Sequence, residues 1–60
     1  SGAVPSLYFL VQVRTVNGIE TRAYKARSVA DVLSKVRSSS AIEALNIKEV
    51  PFATYERHRA

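Results

Sequence analysis

Leu7-Tyr8-Phe9-Leu10-Val11-Gln12-Val13-Arg14-Thr15-Val16-Asn17-Gly18 is the stretch whose reading decides the fold. Its β-branched and aromatic residues suit a pleated, half-buried surface, and Asn-Gly tolerates the positive φ angles of a type I′ turn. The pattern predicts a β-hairpin with Asn17-Gly18 as a two-residue loop. In that register Val16 faces Ile19, Arg14 faces Thr21, Gln12 faces Ala23, Val11 faces Tyr24 and Leu10 faces Lys25. Pleating then puts Phe9, Val11, Val13, Tyr24 and Ala26 on one face. Tyr8, Leu10, Gln12, Arg14, Thr21, Ala23 and Lys25 fall on the other.

The first face needs a cover, and the next segment supplies one. Val29, Val32, Leu33 and Val36 recur at helical spacing while Asp31, Ser34, Lys35 and Arg37 turn away. Ser28 is the expected N-cap, Asp31 suits the helix N-terminus, and Lys35 and Arg37 suit the other end. Farther on, Ser40 and Glu43 have capping-box spacing, which predicts a short helical turn over residues 41–45. Asn46 to Val50 reads as a third strand. Pro51 points to a sheet edge or bulge, with the strand resuming through Phe52 to Tyr55.

A right-handed crossover from the second strand sets the third beside the first. The expected fold is therefore a small α+β, ββαβ domain: a three-stranded, mostly antiparallel sheet of order 2-1-3, with one amphipathic helix on one face. The opening Ser1-Gly2-Ala3, lacking Met, reads as an expression remnant, so residues 1–5 are set aside as a flexible N-terminal segment. Residues 6–55 form the single domain, and residues 56–60 are expected as a solvated basic tail.

Sixty residues allow only one small domain, and a chain this short is expected to lean on consistent local signals or on a partner. Cysteine is absent, which removes disulfides, thiolate metal sites and cysteine nucleophiles, and suits a cytoplasmic setting. The longest apolar run, Leu7 to Val11, is far short of a membrane span. Only one histidine, His58, occurs, and the acids are scattered. Catalysis needs a base held within reach of a nucleophile, so no enzymatic activity, cofactor, metal or small-molecule substrate is expected.

Nine Lys and Arg against five Asp and Glu give a net charge of +4. The excess is uneven. Arg14, Arg22, Lys25 and Arg27 oppose only Glu20 in the hairpin region, whereas residues 28–50 balance. Cations beside an aromatic platform are what single-stranded nucleic acid binders use, joining phosphate neutralisation to base stacking. Tyr8, Gln12, Arg14, Lys25 and Arg27 are accordingly the expected nucleic-acid-binding residues, joined by Arg57 and Arg59 if the chain's end folds toward that face. The alternative is a protein–protein interaction module, homodimeric and regulatory or inhibitory, using the bare sheet face or an edge strand. Its interface would comprise Leu10, Val16, Ile19, Phe52 and Tyr55.

Overall fold

The computed structural model describes residues 5–59. Residues 1–4 of the segment set aside above, and Ala60 of the expected tail, lie outside the described residues. In chain order the elements are β1 (Leu7–Thr15), β2 (Gly18–Ala26), α1 (Val29–Arg37), β3 (Glu43–Glu49) and α2 (Phe52–Arg59). The sheet order is β2-β1-β3, with β1 antiparallel to both neighbours. The expected α+β architecture and strand order are found, with one helix more than the sequence suggested.

β1 is central because it is the most apolar strand, and its odd-numbered residues aim at α1. Phe9, Val11 and Val13 join Ala26, Val32 and Val36 in the core, with Leu7, Tyr24, Ala41, Ala44 and Ile47 packed around them. Phe9, Val11, Val13 and Val32 are fully buried, and each side chain contributes roughly 1.5–3 kcal/mol by leaving water. α1 starts as its sequence dictates. Ser28 Oγ accepts from the Asp31 amide at 3.1 Å, and Asp31 Oδ2 accepts from the Arg27 amide at 3.0 Å. At its other end the Ser38 amide and hydroxyl both donate to the Ser34 carbonyl.

Five expectations need correction. The hairpin register is two residues away from the expected one: Thr15 opposes Gly18, Val13 opposes Glu20, Val11 opposes Arg22 and Phe9 opposes Tyr24. Among the described residues only Gly18 has a positive φ, +115°, so the turn is not type I′, which needs two. The chain turns at Val16-Asn17, with Gly18 taking the left-handed position after it. Thr15 closes this turn: its hydroxyl accepts from the Asn17 amide at 3.1 Å and lies 3.0 Å from the Gly18 carbonyl and 3.2 Å from Glu20 Oε2. Because the slip is an even number, every side chain keeps its expected face.

The covering stripe of α1 is narrower than expected. Val32 and Val36 are buried, while Leu33 is 37% exposed and Val29 half exposed, because the short helix meets the sheet along one i, i+4 seam. Residues 41–45 do not form a helical turn: Glu43–Glu49 is one strand, with a bulge at Leu45, which has no opposite on β1. Nor does a strand resume after Pro51. Residues 52–59 form α2, opened by the Pro51 carbonyl accepting from the Thr54 and Tyr55 amides at 3.1 and 3.2 Å. Proline's missing N–H costs nothing in a first turn.

The fifth correction concerns the face expected to stay bare. α2 packs against β2 and β1. Its Phe52 and Tyr55 rings meet Tyr8 of β1, whose side chain is on the opposite face from Phe9 and hence from α1. The expected solvated tail of Arg57, His58 and Arg59 is the last turn of this helix.

Candidate nucleic-acid interface

The sheet face opposite α1 is a grid set by strand alternation. Reading from β2 through β1 to β3, Lys25 and Tyr8 form the first row; Ala23, Leu10 and Lys48 the second; Thr21, Gln12 and Asn46 the third; Ile19, Arg14 and Glu43 the fourth. α2 arrives at the first row. The Val50 amide donates to the Tyr8 carbonyl at 2.8 Å, extending the β1–β3 ladder, and Pro51 then turns the chain into the helix. Tyr8 lies 5.0 Å from Phe52 in an edge-on arrangement and 4.9 Å from Tyr55, centroid to centroid. These are the separations aromatic pairs favour.

This cluster changes the role expected of Tyr8. Its ring is half-buried among Phe52 and Tyr55, where it anchors α2. Phe52 keeps an exposed edge and is the aromatic surface left for contact from outside.

The cations fall into two groups. Arg14 Nε donates to Glu43 Oε1 at 2.9 Å across the fourth row, both side chains about half exposed. Arg59 is held by both Glu56 oxygens one turn earlier on α2. The hydrogen bond from Arg59 holds the Glu56 carboxyl below the ordinary glutamate range, and the same bond pushes Arg59 further up. Lys25, Arg27 and Arg57, by contrast, have no carboxylate within salt-bridge distance among the described residues. Among the described residues, the Arg57 guanidinium reaches only the Thr54 hydroxyl, at 3.5 Å. Gln12 is exposed in the polar third row.

α2, which carries Arg57 and Arg59, packs against β2, the strand that carries Lys25, and Arg27 lies in the connection between β2 and α1. Lys48, not singled out from the sequence, belongs to the same face, one row from Lys25. Its alternation with Ile47 would have placed it there once β3 was paired with β1. His58 Nδ1 sits 3.0 Å from the Thr54 carbonyl, a helical i, i+4 contact.

The residues expected to form an apolar interface are split. Tyr55 and Leu10 are half-buried at and near the α2 end, beside the more exposed Phe52. Val16 and Ile19 are 85% and 62% exposed at the hairpin tip, with Ile42 similarly exposed after α1. Among the described residues there is no enclosed pocket, no group of three His, Asp or Glu side chains placed to hold a metal, and no helix long and apolar enough to cross a membrane.

Comparison with protein-family models, with curated proteins and with solved structures finds no match to this chain.

Proposed function

We propose that this chain is a small, non-catalytic, cytoplasmic module that binds nucleic acid through the cationic surface shared by β2 and α2. The observation that carries the reading is the packing of α2, which bears Arg57, against β2, which bears Lys25 and is followed directly by Arg27; among the described residues no carboxylate lies within salt-bridge distance of these three. Such groups attract phosphates, and each contact displaces condensed counterions. Phe52 offers a partly exposed ring against Tyr8, the residue opposite Lys25 in the β1–β2 ladder. Arg14 and Arg59 stand in a second tier, since each must leave a carboxylate before meeting a phosphate.

Fluorescence anisotropy with single- and double-stranded oligonucleotides tests the reading. Three phosphate contacts correspond to a slope of log affinity against log salt of about −2 on single strands and about −3 on duplex. Lys25→Glu and Arg57→Glu should each weaken binding severalfold and flatten the slope. Arg37→Glu, on α1 and so on the other side of the sheet, should change it little. Salt-insensitive binding, or none at low salt, refutes the reading.

A homodimeric protein-interaction module is the second reading. It is favoured by the exposure of Val16 and Ile19, apolar residues standing in water at the hairpin tip.

A further inference from the structure

The sheet is open, and its two edges are not equivalent. β3 carries the bulge at Leu45, which interrupts its main-chain ladder and twists the strand. β2 runs nine residues in unbroken register against β1. The direction of its free groups follows from two hydrogen bonds on the far side of the sheet. The Ile42 and Val50 amides donate to the Arg14 and Tyr8 carbonyls, so the even-numbered main-chain groups of β1 face β3. Alternation aims the odd-numbered ones at the even-numbered residues of β2. Ile19, Thr21 and Ala23 are therefore left with amides and carbonyls directed outward from the edge, whereas the Lys25 carbonyl accepts from Lys35 Nζ at 3.0 Å.

We propose that two copies of this chain join through their β2 edges, antiparallel about Thr21, into a continuous six-stranded sheet. This narrows the homodimer reading to one edge and one register, and it is independent of nucleic-acid binding. A twofold axis perpendicular to the sheet sets opposed residues on the same face, so their numbers must sum to an even total. With Thr21 on the axis, Glu20 faces the partner's Arg22 twice, and Ile19 faces the partner's Ala23 twice. The neighbouring registers are worse. An axis through Glu20 opposes two carboxylates, one through Arg22 opposes two guanidiniums, and one through Ala23 sets Glu20 against alanine.

Charge complementarity thus selects both the occupant and the register. Within one copy Arg22 Nε already stands 3.6 Å from Glu20 Oε1, and its terminal nitrogens reach Ser39 and Ser40. The paired edges turn this into a two-by-two square of alternating charge, in which each guanidinium meets two carboxylates. The same pairing puts the exposed Ile19 against apolar surface.

The chain contains no cysteine, so a single one reports the register cleanly. Opposed residues in a hydrogen-bonded antiparallel pair are about 5.5 Å apart between α-carbons, inside the span a disulfide bridges. Under mild oxidation Thr21→Cys should form a covalent dimer rapidly and Asn46→Cys, on β3, should not. In sedimentation equilibrium at high micromolar concentration the wild type should dimerise. Glu20→Arg and Arg22→Glu should each weaken that association roughly tenfold or more through like-charge opposition, and their equimolar mixture should recover it as a heterodimer.

Glu20 also meets the Thr15 hydroxyl and Arg22 meets the serines, so a fall in the single variants could reflect a disturbed edge. The mixture and the cysteine variant decide against that explanation. A monomeric wild type overturns dimerisation altogether. A dimer that persists in both single variants, or that crosslinks equally well through residue 46, leaves self-association standing and overturns the β2 edge.

Discussion

Tyr8 and Tyr55 meet with ring centroids 4.9 Å apart on the sheet face that α1 does not cover. With Phe52, 5.0 Å from Tyr8, they hold the second helix to the sheet. α2 has eight residues and no buried side chain, too short to persist alone in water, so its helicity depends on this docking.

Tyr55→Ala should accordingly release α2. A loss of about 1–3 kcal/mol in urea unfolding is expected for a half-buried aromatic, together with a drop in helical circular dichroism. A Tyr8→Ala/Tyr55→Ala cycle should give a coupling of about 0.5–1.5 kcal/mol. Additive losses would mean that α2 is held by something else.

The turn makes a separate prediction. A Cβ on Gly18 would meet nothing within 4 Å, yet the residue's φ is +115°. Gly18→Ala should therefore destabilise by about 1–2 kcal/mol through backbone strain alone. A neutral result in urea unfolding would show that the turn relaxes freely.

Val32 and Leu33 are adjacent on α1 and should respond very unequally to charge. Val32→Asp puts a carboxylate where the wild-type side chain is fully buried, and should unfold the domain. Leu33→Asp changes a side chain that already reaches water and should cost about 1 kcal/mol or less. Circular dichroism and thermal melts of the two variants check this.

Glu43→Gln should leave stability nearly unchanged, because an exposed ion pair contributes about 0–1 kcal/mol. It frees Arg14 for phosphate. Under the nucleic-acid reading, oligonucleotide affinity should rise and the salt slope should steepen by about 0.7–0.9.

The Glu56–Arg59 pair predicts a pH response. A carboxyl held below its ordinary value in the folded chain favours folding above the unfolded-state value. That contribution fades as pH falls through the lowered one. Carbon-detected titration of Glu56 should show an acid-shifted midpoint, and Arg59→Gln should return it to the ordinary range.

The central strand, the hairpin, the α1 cap and the strand order were legible because each rests on local chemistry that agrees with the whole. Ser28 and Asp31 cap α1 as their spacing suggests. The Ser40…Glu43 spacing misled, since Glu43, Ala44 and Asn46 favour strands poorly. They are in β3 because the open side of β1 supplies the ladder, a distant effect that overrides local preference. α2 did leave a signal, with Pro51 before it and Arg57, His58 and Arg59 in its last turn, the pattern of a helix start and stop. Its aromatic residues drew it toward a strand instead. For the candidate site, the cations were legible and their partners were not, because the Arg14–Glu43 pair spans strands far apart in sequence.

The two-residue difference in hairpin register bears on how the chain folds. A nascent ribbon zipped one rung pair out of place would present the same side chains to α1, so collapse of the apolar face is a poor proofreader. Fidelity then falls on the bend itself, where Gly18 alone adopts the left-handed angle and the Thr15 hydroxyl fastens the loop. Weakening either should yield misregistered molecules that look correctly packed from the helix side and wrong from the edge.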